Sequence, residues 1–128
     1  MKTLHKGKLY LLQNELWSTI NIKKIGCSKD VESRIKPLSS ALPDEIEIIH
    51  QSSVLIDKYF YEHLLSKLLF KYRYKSNREF YQIDIQDYIS IINSIETINK
   101  LYNDQESLLQ FIRTYDKEYY NKRFGLNN

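Results

Sequence analysis

The sequence predicts an α+β domain with a helical C-terminal extension, and three observations carry that reading. Compact apolar or alternating runs of strand length fall at residues 9–14, 19–26 and 45–53. Broad apolar stripes of helical period follow at 56–72, 85–102 and 108–119. No Gly/Ser/Pro linker, repeat or low-complexity tract divides them, and the only prolines, Pro37 and Pro43, bracket a short loop. A chain of 128 residues fits one domain, and folding one that size buries roughly two-thirds of the surface its unfolded form exposes.

Taken in order, LYLLQN at 9–14 is a compact apolar run, and TINIKKIG at 19–26 alternates before turning basic. Both suit strands, joined by a connection at Glu15 to Ser18. Ser28 or Asp30 can cap a helix whose inward positions are Val31, Arg34 or Ile35, and Leu38, with Pro37 blurring its end. In EIEIIHQSS, residues 45–53, Ile46 and Ile48 alternate with Glu45 and Glu47, the period of a half-buried strand. The segment 56–72 then sets Phe60, Leu64, Leu65, Leu68, Leu69 and Tyr72 on one helical stripe. Glu62 projects at the stripe's edge, about 20° from Leu69, and His63 lies about 100° around the helix from Glu62.

A loop from Arg73 to Arg78 leads to a short candidate last strand, Glu79 to Ile83. Ile85, Tyr88, Ile89, Ile92 and Ile95 recur as a helix over 85–102. After a break at Asn103 and Asp104, Leu108, Phe111, Ile112, Tyr115 and Tyr119 make one further amphipathic helix ending near Gly125.

Composition narrows the function classes. A formal charge of +3 is mildly basic, compatible with an anionic partner without establishing one. With Cys27 as the sole cysteine no intramolecular disulfide can form, which suits a reducing, intracellular compartment. One cysteine and the scattered His5, His50 and His63 do not make a four-ligand zinc site. No apolar run of about 18 to 20 residues is present, and no signal-peptide pattern, so the expectation is a soluble protein with no membrane partner. The eleven tyrosines accompany an excess of Ile, Lys and Asn and are not taken as a functional sign.

Four pieces occur in one order: GKLYLLQN at 7–14, KIGCSKDVESRI at 24–35, a helix bearing Glu62, and REFY at 78–81. Together they resemble the GIY-YIG endonuclease superfamily, most closely its branch typified by an open reading frame of bacteriophage T5. That branch has G-x-I/L-Y on strand one and K-I-G on strand two. An arginine follows in the next helix, a glutamate in the helix after, and R-E-W/F before the last strand. A lone K-I-G is common; the ordered set, with Lys24 and Arg34 ten residues apart, is the more specific signal. The resemblance covers roughly residues 7–83.

It implies a small three-stranded antiparallel sheet flanked by helices, with residues 1–83 as a nuclease domain and 84–128 as a helical extension packed on it. The implied chemistry is hydrolysis of a DNA phosphodiester with one divalent metal, Mg²⁺ or Mn²⁺. The matching residues are Tyr10, Lys24, Arg34 and Glu62, with Glu62 as metal ligand. Mg²⁺ prefers few carboxylates plus waters and phosphate oxygens, and Arg34 offers a planar fork to phosphoryl oxygens. A free phenol has a pKa of about 10, so Tyr10 serves as a base only if nearby cations lower it. Lys23, Lys29, Arg73 and Arg78 are candidate nucleic-acid contacts. The loop KYRYKSNR at 71–78 mixes basic and aromatic residues as single-strand binders do. The expected partners are DNA, including branched or single-stranded regions, and a protein partner or second copy at the C-terminal helices.

Three positions depart from the family pattern. Much of the superfamily has a second tyrosine at Lys24, which divides the general-base role between Tyr10 and Lys24. Cys27 stands where a basic or small polar residue is usual, and reads from its surroundings as a partly buried structural cysteine. Ser66 stands where the branch often has histidine. These departures motivate a second reading, a catalytically weak or inactive module that keeps the fold to bind nucleic acid or a protein. A third is an interaction protein built on the C-terminal helices. For Glu62 the alternative to metal binding is an ion pair with Lys58 or a C-terminal lysine; Arg78 and Glu79 are expected to close the last strand by an ion pair.

Overall fold

The computed structural model of the chain describes residues 3–41, 45–75 and 79–125. Three strands and three helices come first: β1 (Lys8–Gln13), α1 (Glu15–Ser18), β2 (Ile22–Ser28), α2 (Val31–Ala41), β3 (Glu47–Gln51) and α3 (Lys58–Leu68). A single 3₁₀ turn, Phe70–Tyr72, leads to β4 (Phe80–Gln82), and then α4 (Ile85–Leu101), α5 (Gln105–Tyr115) and α6 (Lys117–Phe124). The class is α+β, and the strands form one antiparallel sheet in the order β3-β1-β2-β4.

Among the described residues the sheet therefore has four strands, where the resemblance implied three; the fourth falls in the candidate last strand at 79–83. β4 is only three residues long, but it pairs Gln82, Tyr81 and Phe80 with Ile22, Lys23 and Lys24. Tyr81 is nearly fully buried, which gives so short a strand its anchor.

β1 is central and buried on both faces, which explains a compact apolar run where a one-sided strand would alternate. Leu9 and Leu11 join the larger core cluster, with Phe60, Leu64 and Leu65 of α3. Tyr10 and Leu12 join a smaller one, with Val31 and Ile35 of α2 and Ile46. The pairing of β1 with β3 slips between Leu11 and Leu12, leaving Ile49 as a bulge residue. Ile49 and His50 consequently both reach the larger cluster, where His50 meets the edge of Tyr88.

The connection expected at 15–18 is the one-turn helix α1, capped by Asn14 through a 2.8 Å bond from the Trp17 amide. In α2 the Ser33 amide donates to Asp30, and Ile35 turns inward while Arg34 stays outside. Pro37 does not end α2. Residues 33 and 37 are both exposed, so solvent offsets the backbone bond that proline cannot make.

The C-terminal stripe is two helices, not one. Asp116 leaves helical geometry at φ −143° and caps α6, its side chain accepting from the Tyr119 amide. Asp104 caps α5 at the expected break. Tyr88, Ile92 and Ile95 of α4, Leu108 and Ile112 of α5, and Tyr120 and Phe124 of α6 all enter the larger cluster. Among the described residues no helix is long and apolar enough to cross a membrane.

Candidate active site

The β1–β2 ladder sets Tyr10 opposite Gly26, and the tyrosine ring lies across the glycine. A Cβ at position 26 would stand 2.2 Å from the Tyr10 hydroxyl and 2.4 Å from Cζ. The glycine is required by close approach, since no glycine among the described residues has positive φ. From α2, the Arg34 guanidinium lies beside the Tyr10 hydroxyl. Burial nonetheless raises the Tyr10 pKa, with Arg34 opposing and Cys27 and Glu62 adding to the rise. Nearby cations therefore do not lower the phenol as the sequence reading required, and Tyr10 stays protonated at neutral pH.

Glu62 comes to the same place from α3. Its carboxylate is half-buried and accepts a bond from the Cys27 thiol, Sγ to Oε1 3.5 Å. Burial raises the Glu62 pKa; the Cys27 bond opposes this, Glu79 adds to it, and Lys24 counters it. Cys27 itself is pushed up to about 12 by burial and by Glu62. It is thus a protonated donor here and no nucleophile. Lys24 places its ammonium 2.8 Å from Glu79 Oε1 and 5.3 Å from the Phe80 ring centre.

The four motif residues lie on both faces of the sheet about Gly26, near enough for Arg34 and Glu62 to act on the charge of Tyr10 and for Lys24 to act on that of Glu62. Tyr10 and Lys24 project on the α2 side of the sheet, Cys27 and Glu62 on the α3 side, and Glu62 acts electrostatically on Tyr10 across the glycine. Beside Glu62 a cavity of about 630 Å³ opens, walled by Tyr59, Glu62, His63, Ser66, Arg73 and Glu79 among others, but not by Tyr10, Lys24 or Arg34.

Other expected residues fare differently. Lys23 is only 4 % exposed. Its ammonium is spent on Asn21 Oδ1 (2.7 Å) and the Ile83 carbonyl (2.8 Å), so it ties the β2 entry to the end of β4 and presents no charge to a ligand. Lys29 is exposed between β2 and α2. Arg73 is half-buried, hydrogen-bonded to Tyr81 and lying 4.7 Å over the Phe70 ring. Arg78 lies outside the described residues.

Several partners in the site differ from those the sequence suggested. Glu79 pairs with Lys24 across the strands. Lys58 does not pair with Glu62; its ammonium sits 4.3 Å over the Tyr59 ring, and its stem crosses Gly7. His63 reaches the same cavity as Glu62 despite its angle on the helix, because α6 packs there. It bonds Asp116 at 2.9 Å and stacks on Tyr119 at 4.3 Å. Asp57, fully buried, caps α3 and is gripped by both terminal nitrogens of Arg123, one at 2.7 Å. A helix start at Asp57 was readable from an acid followed by an apolar stripe; its partner 66 residues on was not.

Among the described residues no three His, Cys, Asp or Glu side chains assemble as a metal cage. What the site offers is the hard oxygen of Glu62, with the Glu79 carboxylate on the same cavity wall. One or two carboxylates completed by water suit Mg²⁺ or Mn²⁺, so the donor set fits.

A central tyrosine over glycine, with lysine, arginine and a half-buried glutamate in its neighbourhood, keeps the ordered motif read in the sequence, and comparison with known sequences gives the family. Residues 7–96 match the profile of the T5orf172 domain, and the chain belongs to that family. The family is one of nuclease-like, DNA-binding domains. The match runs into α4, past residue 83 where the motif resemblance stops. Uncharacterized protein 460R of Invertebrate iridescent virus 6 is 35% identical over 82 residues, covering 62% of this chain and 36% of the viral protein. The chain thus spans little more than a third of the curated relative it matches. No solved structure matches it.

Proposed function

We propose that this protein is a metal-dependent DNA endonuclease with a GIY-YIG-like fold over residues 1–83 and a helical extension over 84–128. The observation that supports the reading is the electrostatic coupling about Gly26, where Arg34 and Glu62 act on the charge of Tyr10 and Lys24 acts on that of Glu62. Glu62 would hold one Mg²⁺ or Mn²⁺, which when bound supplies Lewis acidity and a more acidic attacking water. Arg34, beside Tyr10, turns its N–H groups to the phosphoryl oxygens. The Lys24 ammonium exchanges Glu79 for the scissile phosphate. Tyr10, protonated, orients the water or phosphate by hydrogen bonding and does not remove a proton. The Cys27 thiol fixes the rotamer of Glu62. The setting is a reducing, intracellular compartment with DNA as partner; of the four expected nucleic-acid contacts, Lys29, Arg73 and Arg78 remain in this proposal.

A second reading, an inactive module that binds nucleic acid or protein, is favoured by the 2.8 Å pairing that already neutralises Lys24. In it, the exposed Leu101 and Tyr115 at the ends of α4 and α5 receive a protein partner or a second copy. Incubation with supercoiled, linear and branched DNA plus Mg²⁺ or Mn²⁺, beside Glu62→Ala and Tyr10→Phe, separates the two. Cleavage that survives Glu62→Ala sinks the nuclease reading, and binding without cleavage promotes the second.

A further inference from the structure

The proposed cleavage uses Glu62 but leaves unexplained the cavity of about 630 Å³ beside it. Its size falls in the range of small-ligand pockets, roughly 300–1,000 Å³, and beside the carboxylates of Glu62 and Glu79 its walls are rich in flat side chains. Tyr59, His63 and Tyr119 contribute rings, and Arg73 a guanidinium. His63 and Tyr119 stack as a two-ring slab. Tyr59 stays 45% exposed although its neighbours on α3, Lys58 and Phe60, are buried. Arg73 has a buried Nε with no hydrogen-bond partner, and the Phe70 ring beneath it is 66% exposed.

Aromatic faces and guanidinium planes are what unpaired bases stack on. Inside a duplex those base faces are covered by neighbouring pairs, so only a base that has left the stack can enter such a cavity. A cavity of rings placed next to a carboxylate that would act on phosphate sets base and backbone of one strand side by side. We propose that the cavity receives an unpaired nucleobase of the strand whose phosphate lies at Glu62. The substrate is then DNA with an unpaired nucleotide beside the scissile bond, in preference to continuous duplex. This rests on the nuclease reading for the position of the phosphate, but the base pocket itself is testable without cleavage.

The full chain carrying Glu62→Gln is titrated in the absence of divalent metal against three DNAs. These are a short single strand bearing 2-aminopurine, the same strand fully paired, and the pair with a mismatch at the 2-aminopurine. Stacking in the cavity quenches the fluorophore. The single strand and the mismatch bind more tightly than the paired duplex. Both Tyr59→Ala and Ser66→Phe, which fills the cavity from α3, weaken those two ligands about fivefold or more while leaving the paired duplex within about twofold. Circular dichroism and a urea midpoint confirm that each variant is folded, since the Tyr59 ring also meets His5 and the Lys58 ammonium. Equal affinity for the three DNAs, or unchanged affinity in both variants, overturns the inference. Wild-type nicking of paired duplex in Mg²⁺ as fast as of the mismatch also overturns it and leaves the nuclease reading standing. Quenched binding with no DNA ever cut does the reverse.

Discussion

Gly26 owes its identity to Tyr10. Since a methyl group there would overlap the tyrosine ring, Gly26→Ala is expected to lower stability by about 1–3 kcal/mol, read from urea midpoints. Truncating the ring in the same chain should recover part of the loss, because the two positions are in contact. Glu62 carries the opposite expectation: burial disfavours its charge, so Glu62→Gln should leave the urea midpoint at neutral pH unchanged or higher. On the nuclease reading, cleavage by this variant should fall at least about a hundredfold, the loss of several kcal/mol of metal-assisted stabilisation. A midpoint that drops with activity would recast Glu62 as a packing residue. The motif K-I-G with Arg34 was readable as a pattern of residue types, but the reason for the glycine needs the register that sets it against Tyr10. The raised Tyr10 pKa was likewise out of reach, because it depends on how deeply the ring is buried by α2.

At the scale of elements, α3 is held at both ends by α6. Asp57 at its N-cap grips Arg123, and His63 and Lys67 further along grip Asp116. Asp57→Ala leaves the partly buried Arg123 guanidinium without its carboxylate and removes a cap, so a loss of about 3–5 kcal/mol is expected by chemical denaturation. Lys67 first, then His63, hold the Asp116 carboxyl far below the usual range. A depressed folded-state pKa gives stabilisation that is complete above the unfolded value of about 3.9 and lost as pH falls below it. Wild-type stability should therefore fall more steeply than that of Asp116→Asn between roughly pH 5 and pH 2, and parallel curves would reject the pairing. The break at Asp104 was legible because the apolar stripe lapses there. The break at Asp116 was not, since Ile112, Tyr115 and Tyr119 keep helical phase straight through it.

For the molecule as a whole, the order of strands and helices and the α+β class could be read from periodicity, because most elements are long enough to show one. Three-residue β4 is too short to show a period, and its place at the sheet edge follows from the buried Tyr81. The helices after residue 83 bring Tyr88, Ile92, Ile95, Leu108 and Ile112 into the same cluster as β1 and α3. Removing several such side chains at about 2–5 kcal/mol each exceeds the whole stability of a typical domain, about 5–15 kcal/mol. A chain truncated after Ile83 should thus lose its cooperative unfolding transition and near-ultraviolet dichroism. A cooperative transition in that fragment would show that the helices are a separable accessory. The Asp57–Arg123 grip bears on synthesis as well. The helix that presents Glu62 leaves the ribosome 66 residues before the arginine that clasps its N-cap, an interval of roughly 3 to 13 s at ordinary translation rates. Throughout that interval Tyr10, Lys24, Arg34 and Glu62 are made but α3 is not yet clasped by α6, so a nascent chain carries these side chains before it carries their arrangement.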